Sequence, residues 1–251
     1  MTETVPVPPR RRMHILQLLP NLISILALCA GLTAIRMAVE GRFGFSVALI
    51  ALAAALDGID GRLARMLKSE SAIGAELDSL CDLVNFGVTP ALVLYYWGMR
   101  ADTALGWIAV LIYAVCCMLR LARFNVGNRL PEGEEKPKGF VGVPSPAGAM
   151  LALAPIYFTR TFGEAMQPSY WIVAIWMVVV GALMISRIPT PSFKGVKIYS
   201  ENARFILVGS VALVAALLTY TWVTLLILDV VYVIAILIAW RRSAKSLRSV
   251  V

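Results

Sequence analysis

Apolar residues form long runs over most of the chain, separated by short polar breaks. A membrane-spanning helix needs about 20 mostly apolar residues. The pattern predicts eight spans, which must be helical because lipid offers no hydrogen-bond partner to free backbone groups. The predicted spans are residues 18–39, 44–66, 74–98, 104–124, 145–162, 169–186, 205–220 and 222–240. The last two are the least separable, and a re-entrant pair or a tight hairpin around Thr219 to Trp222 is the alternative for them.

The spans leave no segment for a soluble domain, so we expect one all-α, polytopic membrane bundle. Composition agrees, since 59% of the residues are apolar and 15% are charged, against about 45–50% and 25% in soluble domains. We divide the chain into an N-terminal cytoplasmic or interfacial segment (1–17), a core of six spans (18–204), and two further spans with a basic tail (205–251).

The net charge of +8 could suggest a nucleic-acid partner, but the layout of the cations predicts a membrane topology instead. With the N-terminus in the cytoplasm, all but four of the 23 Lys and Arg residues fall on the cytoplasmic side. The four on the opposite side are Arg36, Arg42, Arg100 and Arg160. Such asymmetry follows the positive-inside rule. It predicts an integral membrane protein, of the inner or plasma membrane in a prokaryotic cell, with both termini in the cytoplasm and no nucleic-acid partner.

One polar stretch, residues 57–82, interrupts two consecutive spans near their cytoplasmic ends. Asp57 and Asp60 share one helix face, and Asp78 and Asp82 share one face of the next helix. Small or basic residues lie on the same two faces: Gly61, Ala64 and Arg65 on the first, and Gly74 on the second. Two antiparallel helices joined by a short loop can point these faces at each other. We therefore expect four carboxylates to converge at the membrane–cytosol boundary.

Four bare carboxylates repel one another, and a divalent cation relieves that repulsion. Carboxylate oxygens suit hard ions such as Mg²⁺, Mn²⁺ or Ca²⁺, and the absence of His and Cys from the set argues against zinc. Gly61 and Gly74 would leave room for a nucleotide to approach the backbone. The alternatives are a packing role for the acids, or an ion-coupled transporter. Transporters hold such acids at the midplane of the membrane, whereas these lie toward the ends of their spans.

The pattern D-x-x-D-G-x-x-A-R, followed after eight residues by G-x-x-x-D-x-x-x-D, resembles the CDP-alcohol phosphotransferase family. It is carried by Asp57, Asp60, Gly61, Ala64, Arg65, Gly74, Asp78 and Asp82, without departure. The resemblance implies that a small alcohol displaces CMP from a CDP-activated lipid. It implies metal ligation by the four aspartates in a two-metal Mg²⁺ or Mn²⁺ site, with Asp82 also acting as the general base. It further implies a nucleotide pocket formed by Gly61, Ala64, Arg65 and Gly74.

Further segments resemble the phosphatidylserine synthase branch of that family. They are LPNLISILALCAGL, DSLCDLVNFGVTPAL, LRLARFNV (119–126), GFVGVPSPAGA (139–149) and SRIPTPSFKG (186–195). The branch implies CDP-diacylglycerol and L-serine as substrates, and the family implies a homodimer. Glycerol 3-phosphate or inositol phosphate remains open as the acceptor.

Other polar residues are candidates for substrate binding, each with a structural alternative. Arg120 and Arg123 could bind diphosphate or the serine carboxylate through the guanidinium fork, or could anchor the cytoplasmic end of their span. Three further cations could hold lipid phosphate, although anchoring to anionic lipid is the favoured interpretation; they are Lys138, Arg187 and Lys194. Asn85 and Phe86 could line the acceptor pocket or pack in the core, and Asn21, at the start of the first span, could contact the nucleotide.

Overall fold

The structure is a computed structural model. It describes residues 18–67, 71–101, 103–128, 140–186, 188–190 and 203–248. Within these residues the chain is helical apart from one short antiparallel pairing. The α-helices are α1 (Leu19–Val39), α2 (Phe43–Met66), α3 (Ala72–Asp82), α4 (Thr89–Leu94), α5 (Thr103–Asn128), α6 (Ser145–Ala152), α7 (Ala154–Phe162), α8 (Tyr170–Ile185), α9 (Ala203–Thr219) and α10 (Thr221–Arg248).

Helices α1 and α2 form a closely packed hairpin. Small side chains recur on the buried face of α1 at three- and four-residue intervals, namely Ala27, Ala30, Ala34 and Ala38. They pack against α2, where Ala53 is fully buried. Small residues allow two helix backbones to approach closely in a membrane. Gly41, in the turn, has a φ of 75°, which glycine adopts without steric cost.

The third span consists of several consecutive helical segments. Two π-helical segments flank α4: Leu83–Val88 joins it to α3, and Tyr95–Met99 follows it. Ser71 caps the N-terminus of α3, because its Oγ accepts a hydrogen bond from the backbone N–H of Gly74 at 3.0 Å. This cap sets where α3 begins and therefore the phase of Asp78 and Asp82.

The core lies between this third span and helices α5 to α8. Its largest buried side chains include Tyr113, Tyr157 and Phe86, which are all fully buried. The Tyr113 hydroxyl donates a hydrogen bond to the backbone oxygen of Phe86 at 3.1 Å, tying α5 to the first π-helical segment. Strands β1 (Phe140–Val141) and β2 (Pro189–Thr190) pair antiparallel, bringing the segments before α6 and after α8 together.

Five helical segments of the described residues are long and apolar enough to cross a membrane. They are Leu19–Val39, Phe43–Met66, Ile73–Met99, Ala104–Gly127 and Thr221–Arg241. They match predicted spans one to four and eight, so the chain is an integral membrane protein. The shorter apolar helices Tyr170–Ile185 and Leu207–Thr219 lie where spans six and seven were predicted, and the predicted span 145–162 is divided into α6 and α7. The count of eight therefore stays a prediction.

Candidate active site

Three aspartates meet where the C-terminal part of α2 faces α3. Carboxylate oxygens of Asp57, Asp60 and Asp78 all lie within 4.8 Å of one another. Asp60 is buried, and Asp57 and Asp78 are half-buried. The helical spacing thus brings the acids of the two helices together, as the sequence predicted.

Asp82, the fourth predicted acid, lies one helical turn after Asp78. It is outside the group of three, but its side chain lies close to that of Asp57 and interacts with it. Two carboxyl groups in contact require a proton or a cation between them. Asp82 therefore borders the cluster on the side of Asp57.

A cavity of about 280 Å³ opens beside the cluster. Its walls come from the start of α1, the end of α2 and the start of α3. It is lined by Pro20, Asn21, Ser24, Asp60, Gly61, Ala64, Ser71, Gly74, Ala75 and Asp78. Four of the five residues predicted to contact the nucleotide are in this set, and Arg65 is not. Arg65 is exposed, and its Nε donates a hydrogen bond to the backbone oxygen of Gly61 at 2.9 Å.

Gly74 lies close to two side chains of the cavity wall. A Cβ atom there would lie 2.9 Å from Asn21 Oδ1 and 3.0 Å from Ser71 Oγ, and the first of these distances is shorter than any ordinary carbon–oxygen contact. A side chain at this position would therefore displace the Asn21 side chain or narrow the cavity.

Ser24 is a site residue that the sequence did not indicate. Its Oγ donates a hydrogen bond to Asp60 Oδ2 at 2.6 Å and also lies 3.2 Å from the backbone oxygen of Pro20. Both residues are buried, and no described residue is a hydrogen-bond partner of Asp60 Oδ1. One oxygen of Asp60 is thus held by α1, while the other is left for a ligand.

Arg120, on α5, lies near the acids of α2 and α3. Its Nη1 donates a hydrogen bond to Ser145 Oγ at the start of α6, and it interacts electrostatically with Asp82 and Asp57. Its Nε is buried and has no hydrogen-bond partner among the described residues. Arg123 lies elsewhere: it is exposed and donates to the backbone oxygen of Ile185 at 2.9 Å, connecting α5 with the end of α8.

Asn85 and Phe86, the predicted acceptor-pocket residues, lie in packed positions. Phe86 belongs to the hydrophobic core. Asn85 is 1% exposed and packs against α1, since a Cβ at Gly31 would collide with its Oδ1 and lie 3.4 Å from Thr89 Oγ1. Neither residue lines the cavity. The remaining predicted residues, Lys138, Arg187 and Lys194, lie outside the described residues.

The donor set of the cluster fits a hard divalent cation. It consists of carboxylate oxygens, at least one of which, Asp60 Oδ1, is buried without a partner in the described part of the chain. Buried carboxylates are stable when they are paired or coordinate a metal, and oxygen ligands of this type suit Mg²⁺, Mn²⁺ or Ca²⁺.

An apolar groove of about 550 Å³ lies on the other side of the α1–α3 contact. It is lined by Ile25, Leu28, Ile73, Glu76, Leu77, Leu80, Cys81 and Val84. Because α1 and α3 contribute to both surfaces, a polar cavity and an apolar groove adjoin the same pair of helices. A molecule with a polar head and apolar chains suits such a pair of surfaces.

Comparison with known proteins identifies the class. A family model described as CDP-alcohol phosphatidyltransferase matches residues 17–184, which include all the cavity residues. This chain belongs to the CDP-alcohol phosphatidyltransferase family.

Several curated relatives carry the name CDP-diacylglycerol–serine O-phosphatidyltransferase. The one from Mycobacterium leprae is 45% identical over 212 residues, which is 83% of this chain and 69% of the relative. The one from Methanocaldococcus jannaschii is 37% identical over 172 residues (68% and 73%). The one from Bacillus subtilis is 33% identical over 177 residues (70% and 91%).

Proposed function

We propose that this chain transfers the phosphatidyl group of CDP-diacylglycerol to the hydroxyl group of L-serine, giving phosphatidylserine and CMP. The observation that carries the proposal is the group of Asp57, Asp60 and Asp78 beside a cavity lined by Asn21, Gly61, Ala64 and Gly74. The names of the relatives support serine as the acceptor. The apolar groove beside the cavity supports a lipid-linked donor.

Each group of the chain has a defined task in this proposal. Asp57, Asp60, Asp78 and Asp82 would hold Mg²⁺ or Mn²⁺, as a two-metal site. Bound divalent ions would supply charge neutralisation at the diphosphate oxygens. The nucleotide would occupy the cavity, and Arg65 would contact it from the rim.

Asp82 acts as the general base. It takes the proton of the serine hydroxyl as that oxygen forms a bond to the lipid-side phosphorus, and the bond from this phosphorus to the CMP oxygen breaks. A positioned base contributes about 10²–10⁴-fold to such a step. Arg120, which interacts with Asp82, orients the acceptor through an anionic group. We assign Lys138, Arg187 and Lys194 to lipid phosphate or to anionic lipid at the membrane surface.

The depth of the acids supports chemistry at the membrane–cytosol boundary. Asp60 lies six residues before the end of α2, and Asp78 six residues after the start of α3, so each is about 9 Å from a helix end.

We propose a core of six spans in residues 18–204 and two further spans in 205–251. Both termini and the active site face the cytoplasm, and the chain forms a homodimer.

The test is CMP release by the purified protein with CDP-diacylglycerol and Mn²⁺ or Mg²⁺. Serine, glycerol 3-phosphate, inositol phosphate and no acceptor are compared. We expect release that depends on serine and on the metal, and an Asp82→Asn variant without turnover that still binds the CDP-lipid. CMP release with another acceptor would support the transfer reaction but refute serine as the acceptor. If no acceptor gives CMP release while a control enzyme is active under the same conditions, ion-coupled transport would be favoured instead. Substrate flux into sealed vesicles would test for that transport.

A further inference from the structure

Helix α10 lies outside the residues matched by the family model and brings polar side chains to the interior. Its inward face packs against the core through Trp222, Leu225, Leu226, Val233 and Ile236. Asp229 and Tyr232 interrupt this apolar face. The Tyr232 hydroxyl oxygen is buried, and no described residue is its hydrogen-bond partner. An unsatisfied buried hydroxyl is costly, so a ligand group that satisfies it would bind favourably.

The direction of α10 carries Tyr232 toward the acids, to a depth about 5 Å short of Asp57. Trp222, at the start of α10, lies 3.6 Å from where a Cβ atom would be at Gly44, at the start of α2. The two helices therefore begin on the same side of the bundle, opposite the acidic cluster. Tyr232 follows Trp222 by ten residues, or about 15 Å, and Asp57 follows Gly44 by 13 residues, or about 20 Å.

Tyr232 interacts electrostatically with Arg120, and Arg120 has an unsatisfied group of its own. The Nη1 of Arg120 is held by Ser145, whereas its Nε is buried without a partner among the described residues. An Nε–H and a phenol O–H are both donors to an anionic oxygen. Arg120 also interacts electrostatically with Asp82 and Asp57. Two unsatisfied donors that interact with each other and with these acids suit a carboxylate or a phosphate oxygen of a bound acceptor.

We propose that Tyr232 is an acceptor-specificity residue, whose hydroxyl group binds the carboxylate of the amino-acid acceptor together with Arg120 Nε. The inference rests on the proposed function. In L-serine the carboxylate and the hydroxyl are on neighbouring carbon atoms. A carboxylate held beside Arg120 therefore brings the hydroxyl close to Asp82. Glycerol 3-phosphate, a rival acceptor, presents a phosphate instead, which is two bonds farther from its terminal hydroxyl than the carboxylate is in serine. This pair of donors would therefore not bring its hydroxyl to Asp82 in the same way.

The test compares Tyr232→Phe with wild type in the CMP-release assay, varying serine and CDP-diacylglycerol separately. We expect the KM for serine to rise about tenfold, which corresponds to about 1.4 kcal/mol and is the effect of one hydrogen bond to a charged group. We expect the KM for CDP-diacylglycerol and kcat to stay within about twofold of wild type, because one hydrogen bond to the acceptor is lost and no other contact changes. The matched control is Tyr157→Phe: Tyr157 is also buried, but its hydroxyl contacts Met150 Sδ at 4.0 Å. This control should keep both KM values.

Each other outcome has a separate meaning. An unchanged serine KM, or a fall in kcat alone, would overturn the assignment of Tyr232 to the acceptor. A rise confined to the KM for CDP-diacylglycerol would also overturn it, because the donors would then serve a diphosphate oxygen. A wild-type protein without serine-dependent release would overturn the proposed function itself, and this inference with it.

Discussion

The hydrogen bond from Ser24 to Asp60 provides a sharp test of the metal site. It joins α1 to α2 at 2.6 Å, between two buried side chains. In Ser24→Ala the hydroxyl is lost, and Asp60 Oδ2 loses its hydrogen bond to α1. Asp60 is then held less firmly where Asp57 and Asp78 converge.

The magnitude follows from the type of bond. A hydrogen bond to a charged group contributes about 1.5–3 kcal/mol, and a residue that orients a metal ligand typically changes metal affinity by about 10–100-fold. We expect the Mn²⁺ concentration for half-maximal CMP release to rise by that factor in Ser24→Ala. The rate at saturating Mn²⁺ should stay within about threefold of wild type, because the ligands themselves remain.

Two measurements check this expectation. CMP release is followed as a function of Mn²⁺ concentration, and Mn²⁺ binding is titrated by electron paramagnetic resonance without substrate. Thr33→Ala is the matched control on α1, since Thr33 is exposed and its Oγ1 donates to the backbone oxygen of Cys29 at 2.6 Å. Equal Mn²⁺ affinity in wild type and Ser24→Ala would refute the idea that Ser24 positions a metal ligand.

Two glycine substitutions give further predictions. In Gly74→Ala the new Cβ would lie 2.9 Å from Asn21 Oδ1, so we expect the KM for CDP-diacylglycerol to rise about tenfold, as crowding of about 1–3 kcal/mol implies; an unchanged KM would contradict the nucleotide cavity. In Gly106→Ala the Cβ would lie 2.8 Å from the backbone oxygen of Met99, so the free energy of unfolding should fall by about 1–3 kcal/mol. A lower thermal midpoint in detergent measures this effect, and Gly127→Ala, where a Cβ meets nothing within 4 Å, should not lower it, because alanine favours the helix over glycine.

The acidic cluster could be predicted because it depends on helical periodicity. Asp57 and Asp60 are three residues apart, Asp78 and Asp82 are four apart, and a short connection leaves two helices few ways to pack. Ser24 could not be predicted in this way. A serine in an apolar span resembles any other small residue, and its bond to Asp60 depends on how α1 packs against α2.

Asn85 and Phe86 lie where the helix type changes, and their role at the acceptor pocket stays a prediction. The sequence placed them one turn after Asp82, on the assumption of an uninterrupted α-helix. In the structure a π-helical segment begins at Leu83, and its wider turn rotates the following side chains. Phe86 consequently packs in the core. Nothing in the residue types of this segment distinguishes a π-helix from an α-helix.

The division between α6 and α7 did have a signal in the sequence. Pro155 lies in the first turn of α7, and proline cannot donate the backbone hydrogen bond that would continue the preceding helix. The apolar run continues through Leu153, so a prediction based on hydropathy treats the two helices as one span, because hydropathy does not take backbone hydrogen bonding into account.

Residues 203–248 provide structure that the family motif does not require. The motif acids and the cavity come from α1, α2, α3 and the capping residue Ser71. Discrimination among acceptors needs groups that the shared motif does not supply. Helix α10 provides a buried hydroxyl, that of Tyr232, which interacts electrostatically with Arg120. Donor chemistry and acceptor choice would then reside in different helices, so that acceptor choice could change while the metal site was retained.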